Sequence, residues 1–249
     1  MSAIGLTRLI TGAVALLALV WSIVVFPTFW FEAPLVQAAR HIVRGERYQP
    51  ETLNQLSKQA AIAESSWCFK SIDKLAILRL RQAEYAITSG DQLAKQDSID
   101  AALAATKRAL ASMPTEAFQW LALFWLMNEE NGFSAEHLRF LRKSYEYGPH
   151  EGWIAVKRLP LMLSLFSSLD GELRDALISE YARLVSSDMY DDAVEIADRA
   201  GQMFRYVLFN GLRDVRVQKK QIFAKRLIQR EIDDAPIPGI DRRPARPWR

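Results

Sequence analysis

Apolar side chains recur along this chain at the spacing of helices. Leu53, Leu56, Ala60 and Ala63 mark one face; Leu75, Leu78, Ala83, Ala86 and Ile87 mark a second. Leu173, Ala176, Leu177, Tyr181 and Leu184 mark a third, and Ala193, Ile196, Ala197 and Ala200 follow Asp188, which can cap a shorter helix. Three- and four-residue steps of this kind are the signature of amphipathic helices. Alternating runs long enough for a set of strands are absent. Pro50 suits the first turn of a helix, and Gly45, Pro114 and Gly148-Pro149 punctuate the pattern. Pro160 interrupts an apolar segment over 150–166. An all-α fold is predicted.

The amino-terminal stretch differs because it has no polar face. Residues 9–31 are 23 consecutive uncharged residues, 18 of them apolar. As a helix this run is about 34 Å long, enough for a hydrocarbon core of roughly 30 Å. Pro27 lacks an N–H and is expected to end or kink the helix. Phe26, Phe29, Trp30 and Phe31 are placed like an interfacial aromatic belt, with Glu32 marking the return to water. Bulky aromatics occupy the position where a cleaved signal peptide needs small residues. The expectation is therefore a single transmembrane helix at 9–31 behind a leader at 1–8. Arg8 against Arg40, Arg44 and Arg47 leaves its orientation open. A periplasmic body on a bacterial inner membrane is preferred over a cytoplasm-facing one.

After a membrane-proximal helical linker (32–69), a repeat emerges. Lys107-Arg-Ala-Leu-Ala-Ser-Met-Pro114 aligns with Arg142-Lys-Ser-Tyr-Glu-Tyr-Gly-Pro149 at an offset of 35 residues, pairing Leu103 with Leu138 and Leu110 with Tyr145. Ala109 and Ser144 match as small residues that let helices approach closely. Trp120, Leu121, Gly132-Phe133, Ser144 and Pro149 over 115–149 resemble a tetratricopeptide unit, a helix–turn–helix of about 34 residues. Tyr85, Ala105 and Ala109 resemble related positions in a preceding unit. Trp125 and Met127 depart from that pattern. The resemblance spans about 70–200 and implies a TPR-like α-solenoid of stacked helical hairpins, whose concave face suits protein partners. The anchor, the 142–149 motif and Glu151-Gly-Trp-Ile-Ala-Val-Lys-Arg158 together also resemble small single-span bacterial proteins of surface-polysaccharide assembly.

Charge is concentrated at the carboxyl end. Residues 205–249 hold 12 Lys+Arg against 5 Asp+Glu, a net of +7; the rest of the chain holds 20 against 24, a net of −4. A basic helix (201–234) precedes a Pro/Arg-rich tail (235–249). Lys219, Lys220, Lys225 and Arg226 are candidate contacts to anionic lipid or an acidic partner, each contributing about 1 kcal/mol near a charged bilayer surface. A total of +3 without a reading helix or base-stacking platform excludes nucleic-acid binding as the leading class.

Chemistry-bearing motifs are scarce. His41, His137 and His150 stand apart, and Cys68 is single, so neither a zinc site nor an intramolecular disulfide is indicated. Glu129-Glu130 and Asp191-Asp192 are adjacent, and neighbouring helical residues point about 100° apart. No phosphate-binding loop, dinucleotide fingerprint or nucleophile elbow is present. No cofactor and no catalysis are expected. Trp125, Tyr145, Tyr147 and Trp153 are the candidate partner-binding residues. The expected function is a membrane-anchored scaffold or adaptor for an integral-membrane or envelope complex, possible settings including polysaccharide assembly or export. A glycan-acting enzyme is a distant alternative.

Overall fold

A computed structural model describes residues 3–46, 48–64, 71–232 and 234–241. Cys68 and the basic end of the tail, 242–249, lie outside the described residues. The described residues are mainly helical: α1 (Ala3–Val43), α2 (Pro50–Glu64), α3 (Ile72–Ser89), α4 (Gln92–Ser112), α5 (Ala117–Asn131), α6 (Leu138–Tyr147), α7 (Gly152–Ser164), α8 (Gly171–Ser186), α9 (Tyr190–Asn210) and α10 (Val217–Gln229). Short 3-10 turns at Ala135–His137 and Phe166–Ser168 complete the set, and no strand occurs among the described residues beyond a lone antiparallel bridge between Ile237 and Ile240. The helices form two compact units, Met1–Pro114 with Trp125–Glu130, and Thr115–Phe124 with Asn131–Arg249.

In the first unit the later turns of α1 bury Leu35, Ala38 and Ala39, while α2 buries Leu53 and Ala60. Ser71, ahead of α3, donates its hydroxyl to Glu32 Oε2 of α1 at 2.8 Å. The α3–α4 hairpin turns at Gly90-Asp91, and the Asp91 carboxylate accepts from the amides of Leu93 and Ala94. That cap satisfies donors the first turn leaves open. Ala76 meets Ala105 and Ala109 in a cluster against which Ile72 packs. Small residues at this seam let the two backbones lie close.

One expectation is overturned here. Among the described residues, no helix is long and apolar enough to cross a membrane. The stretch at 9–31 is not a separate element: α1 runs unbroken through Pro27 and on to Val43, where it enters the core of the first unit. Ile10, Leu17, Trp21 and Phe26 are exposed along its earlier turns. The single-pass inner-membrane localisation, the periplasmic placement, the membrane-lipid and integral-membrane partners and the anchored scaffold therefore lose their basis.

The second unit is built round α8. Asp170 caps it, accepting from the Leu173 amide at 3.0 Å. Leu173, Leu177, Tyr181 and Leu184 then bury one stripe. Each such aliphatic side chain contributes about 1.5–3 kcal/mol on full burial. The Tyr181 hydroxyl donates to the Ala193 carbonyl at 3.0 Å, bonding α8 to α9. Its ring neighbours Phe209 at 6.4 Å and Phe223 at 6.3 Å, so one aromatic cluster joins α8, α9 and α10. Pro160 sits inside α7 without ending it.

Two glycines shape the path of α9. Gly201 breaks the helix at φ 77° and ψ 167°, a region almost reserved for glycine. Arg205, one turn on, reaches back to the Ala197 carbonyl at 3.3 Å and pairs with Asp234 at 2.6 Å. Gly211 lies so close to α8 that a Cβ there would meet Ile178 Cγ2 at 2.2 Å and the Ile178 carbonyl at 3.3 Å. Because backbone lines one side of that contact, relief requires α9 to move. Gly211→Ala is expected to destabilise the second unit by about 1–3 kcal/mol. Urea denaturation followed at the aromatic cluster measures it; an unchanged midpoint would contradict this packing.

Candidate functional site

The second unit buries two full charges in its interior. Arg158 of α7 is 0% exposed and Glu180 of α8 is 2% exposed. Arg158 Nη1 lies 3.5 Å from Glu180 Oε1, an ion pair too long to be a hydrogen bond of good geometry. Tyr145 of α6 completes the group. Its hydroxyl donates to Glu180 Oε2 at 2.7 Å and lies 3.0 Å from Met162 Sδ. The Arg158 guanidinium carbon stands 4.0 Å above the Tyr145 ring centroid, and Nη2 donates to the Gly148 carbonyl at 3.1 Å. Three consecutive helices thus meet at one charged network.

The network is incomplete in hydrogen bonds. Glu180 Oε1 and Arg158 Nε and Nη1 have no hydrogen-bond partner in the chain. A buried polar atom left this way costs about 1–3 kcal/mol, and more when charged. Burial pushes the Glu180 carboxyl above its ordinary value, opposed by the Arg158 charge and the Tyr145 hydrogen bond. Burial likewise raises the Tyr145 phenol, and the neighbouring Glu180 charge adds to the effect.

Glu180 also lines a cavity of about 310 Å³ walled by the α6–α7 turn and α8. Pro149, His150, Glu151, Gly152 and Ala155 form one side; Arg183, Leu184, Ser187 and Met189 form the other. Arg183 is three residues beyond Glu180, hence on the same face of α8. The cavity combines a mainly apolar wall with a few charged groups, a composition typical of small-ligand sites.

The structure distributes the aromatic candidates unevenly. Tyr145 turns its hydroxyl inward to Glu180. Tyr147 is 37% exposed with Lys143 Nζ 5.3 Å from its ring centroid. Trp153 is also 37% exposed, packs on Phe118 at 5.1 Å and donates Nε1–H to Glu151 Oε2 at 3.1 Å. These three flank the turn that walls the cavity. Trp125 is half-buried and belongs to the first unit.

The basic helix is turned inward more than its charge indicates. Lys220 is 4% exposed, its ammonium donating to the carbonyls of Arg213 at 3.2 Å and Pro238 at 2.7 Å. Lys219 pairs with Asp188, and Arg226 with Asp191 at 2.5 Å. Lys225 is exposed. Asp188 belongs to the turn between α8 and α9, and Asp191 to the first turn of α9.

Arg158 and Glu180 were not among the candidates, although their positions carry a signal. Glu180 interrupts the stripe Leu173, Leu177, Tyr181, Leu184, and Arg158 interrupts Ile154, Ala155, Leu159, Met162. A charge on the buried side of a helix needs a partner or a task. The first unit holds a second cavity of about 480 Å³, whose polar lining includes Asn54, Gln82 and Tyr85. There Gln82 Nε2 donates to Asn54 Oδ1 at 2.6 Å, and Tyr85 donates to the Tyr48 carbonyl, so these side chains engage one another or the main chain. Among the described residues, no group of three or more His, Cys, Asp or Glu side chains is placed to hold a metal ion.

No family model, curated protein or solved structure matches the chain. The role expected in polysaccharide assembly is withdrawn, because it rested on an anchored layout that the fold does not supply and no relative carries it. The tetratricopeptide resemblance rests on the quoted residues alone.

The raised Glu180 carboxyl sets the sign of a pH effect. The folded state holds that proton more tightly than the unfolded chain does. Stability from this group is therefore full below the ordinary value of 4.5 and is lost as pH rises through the higher folded value. Glu180→Gln is expected to remove that downward slope in denaturant midpoint against pH; an identical slope in both proteins would contradict it. Arg158→Leu, which leaves the carboxylate alone, is expected to cost about 3–5 kcal/mol at neutral pH, read from the same denaturation curves.

Proposed function

We propose that this chain is a noncatalytic binding protein whose second unit accepts a small polar molecule in the cavity beside Glu180. The supporting observation is a cavity of about 310 Å³ whose lining sets His150, Glu151, Glu180 and Arg183 among apolar side chains. Apolar residues in place of the whole Arg158–Glu180 pair would hold a core about as well, so the pair's presence fits a wall that must keep one geometry for a ligand.

Helical hairpins supply the frame for this task. The segment that resembles a tetratricopeptide unit ends at Pro149, which is itself part of the cavity wall. In this reading the repeat-like helices fix the turn at 148–152, and the turn fixes the wall opposite α8. Tyr145 engages Glu180 Oε2 and Arg158 lies 3.5 Å from Oε1, so the network holds the cavity wall in one geometry before a ligand arrives. Preorganisation of this kind lowers the ordering cost of binding. Tyr147 and Trp153 stand beside the cavity as exposed aromatic surface.

Binding is tested with the full chain and a defined mixture of small polar fragments, followed by saturation-transfer NMR. Ser187 lines the cavity from an exposed position, so Ser187→Trp is expected to obstruct it without disturbing the core. At least a tenfold loss of fragment signal in that variant supports the assignment. Equal signal in both proteins would reject it.

A further inference from the structure

The chain that follows α10 is packed into the second unit at specific points. Ile232, Ala235 and Ile237 are buried and belong to the same apolar core as Phe209, Phe223 and Leu227. Two charged side chains fix the segment along its length. Arg205 of α9 pairs with Asp234 at 2.6 Å, and Lys220 of α10 donates to the Pro238 carbonyl at 2.7 Å. Beyond Pro238, Gly239 turns at φ 76°, and the Ile240 amide donates back to the Ile237 carbonyl at 3.1 Å. Together α9 and α10 present an apolar groove marked by one arginine and one lysine, and the segment answers each of those features.

The connection into that groove is strained. At the end of α10 the Glu231 amide donates to the Ile228 carbonyl and the Ile232 amide to the Leu227 carbonyl, each at 3.0 Å. A helix ending of this form places one residue in the left-handed region, and glycine normally takes it. Here Glu231 takes it, at φ 58°. Glutamate is disfavoured there and well suited to a helix. Straightening at Glu231 would extend α10, relieve that backbone and carry the segment out of its own groove. We propose that two copies of this chain exchange the segment, each groove taking Asp234 and Ile237 from the other copy. The closed and exchanged forms make the same contacts, so only the hinge and the cost of joining two copies separate them. The strained hinge tilts that balance towards exchange, and rising concentration tilts it further. This inference is independent of the cavity beside α8.

Opposite charge reversals in the full chain test the exchange. Arg205→Glu sets two acids against each other within one copy, and Asp234→Lys sets two bases against each other. When these two variants are mixed, exchange restores an opposite-charge pair in both grooves, which neither closed copy can do. Sedimentation velocity is expected to show at least tenfold more dimer in the equimolar mixture than in either variant alone at the same total concentration. A mixture no more dimeric than its components would overturn the proposal. Circular dichroism checks that each variant keeps its helices. If either loses them, Glu231→Pro decides instead, because proline cannot adopt φ 58° and the hinge must open. Dimer at least tenfold above the level of the unaltered chain then supports exchange, and an unchanged level rejects it.

Discussion

The second unit depends on keeping a carboxylate and a guanidinium together where water does not reach. Arg158 and Glu180 come from successive helices, and neither charge is tolerable without the other. Their attraction offsets the cost of leaving water only because Tyr145 and the Gly148 carbonyl take up part of the remaining hydrogen-bonding capacity. This requirement fixes α6, α7 and α8 relative to one another more strictly than apolar packing would, since oily surfaces can slide and a charged pair cannot. The wall of the cavity inherits that precision. A binding site on this unit thus borrows its geometry from an interaction that also constrains the fold.

Much of the helical framework was legible in the chain. The stripe on α8 follows from spacing alone, whereas Asp188, expected to cap the next helix, lies at φ 67° ahead of the N-cap Met189 and pairs with Lys219 instead. Small residues at Ala105 and Ala109 meet Ala76 because close helix approach needs little else. The amino-terminal helix was harder, because a window of apolar residues says nothing about whether the same helix continues into a packed core. Only the burial of Leu35, Ala38 and Ala39 reveals that continuation. Pro27 and Pro160 were over-weighted for a related reason: tertiary packing can carry a helix through a missing hydrogen bond.

The site was less legible than the framework. Tyr145 was selected as an aromatic edge, whereas its decisive atom is the hydroxyl that meets Glu180. The two charges were passed over because helical charges are usually solvated, and the exception shows only when their phase along the apolar stripe is followed. Lys219 and Arg226 illustrate the opposite difficulty. Their cluster reads as an outward-facing patch, yet Asp188 and Asp191, at the start of α9, come to them from 31 and 35 residues earlier in the chain. Composition reports such charges without reporting which of them are already matched.

Lys220 carries this logic to the carboxyl-terminal segment. Its ammonium is surrounded by neutral carbonyls from both sides of α10, one of them at Pro238. Ile232, Ala235 and Ile237 are buried alongside. The end of the described chain is therefore clasped to the helix before it, and the amine inside that clasp is sheltered from acylating reagents while the clasp is shut. Its chemical reactivity becomes a built-in gauge of whether the carboxyl-terminal segment is docked.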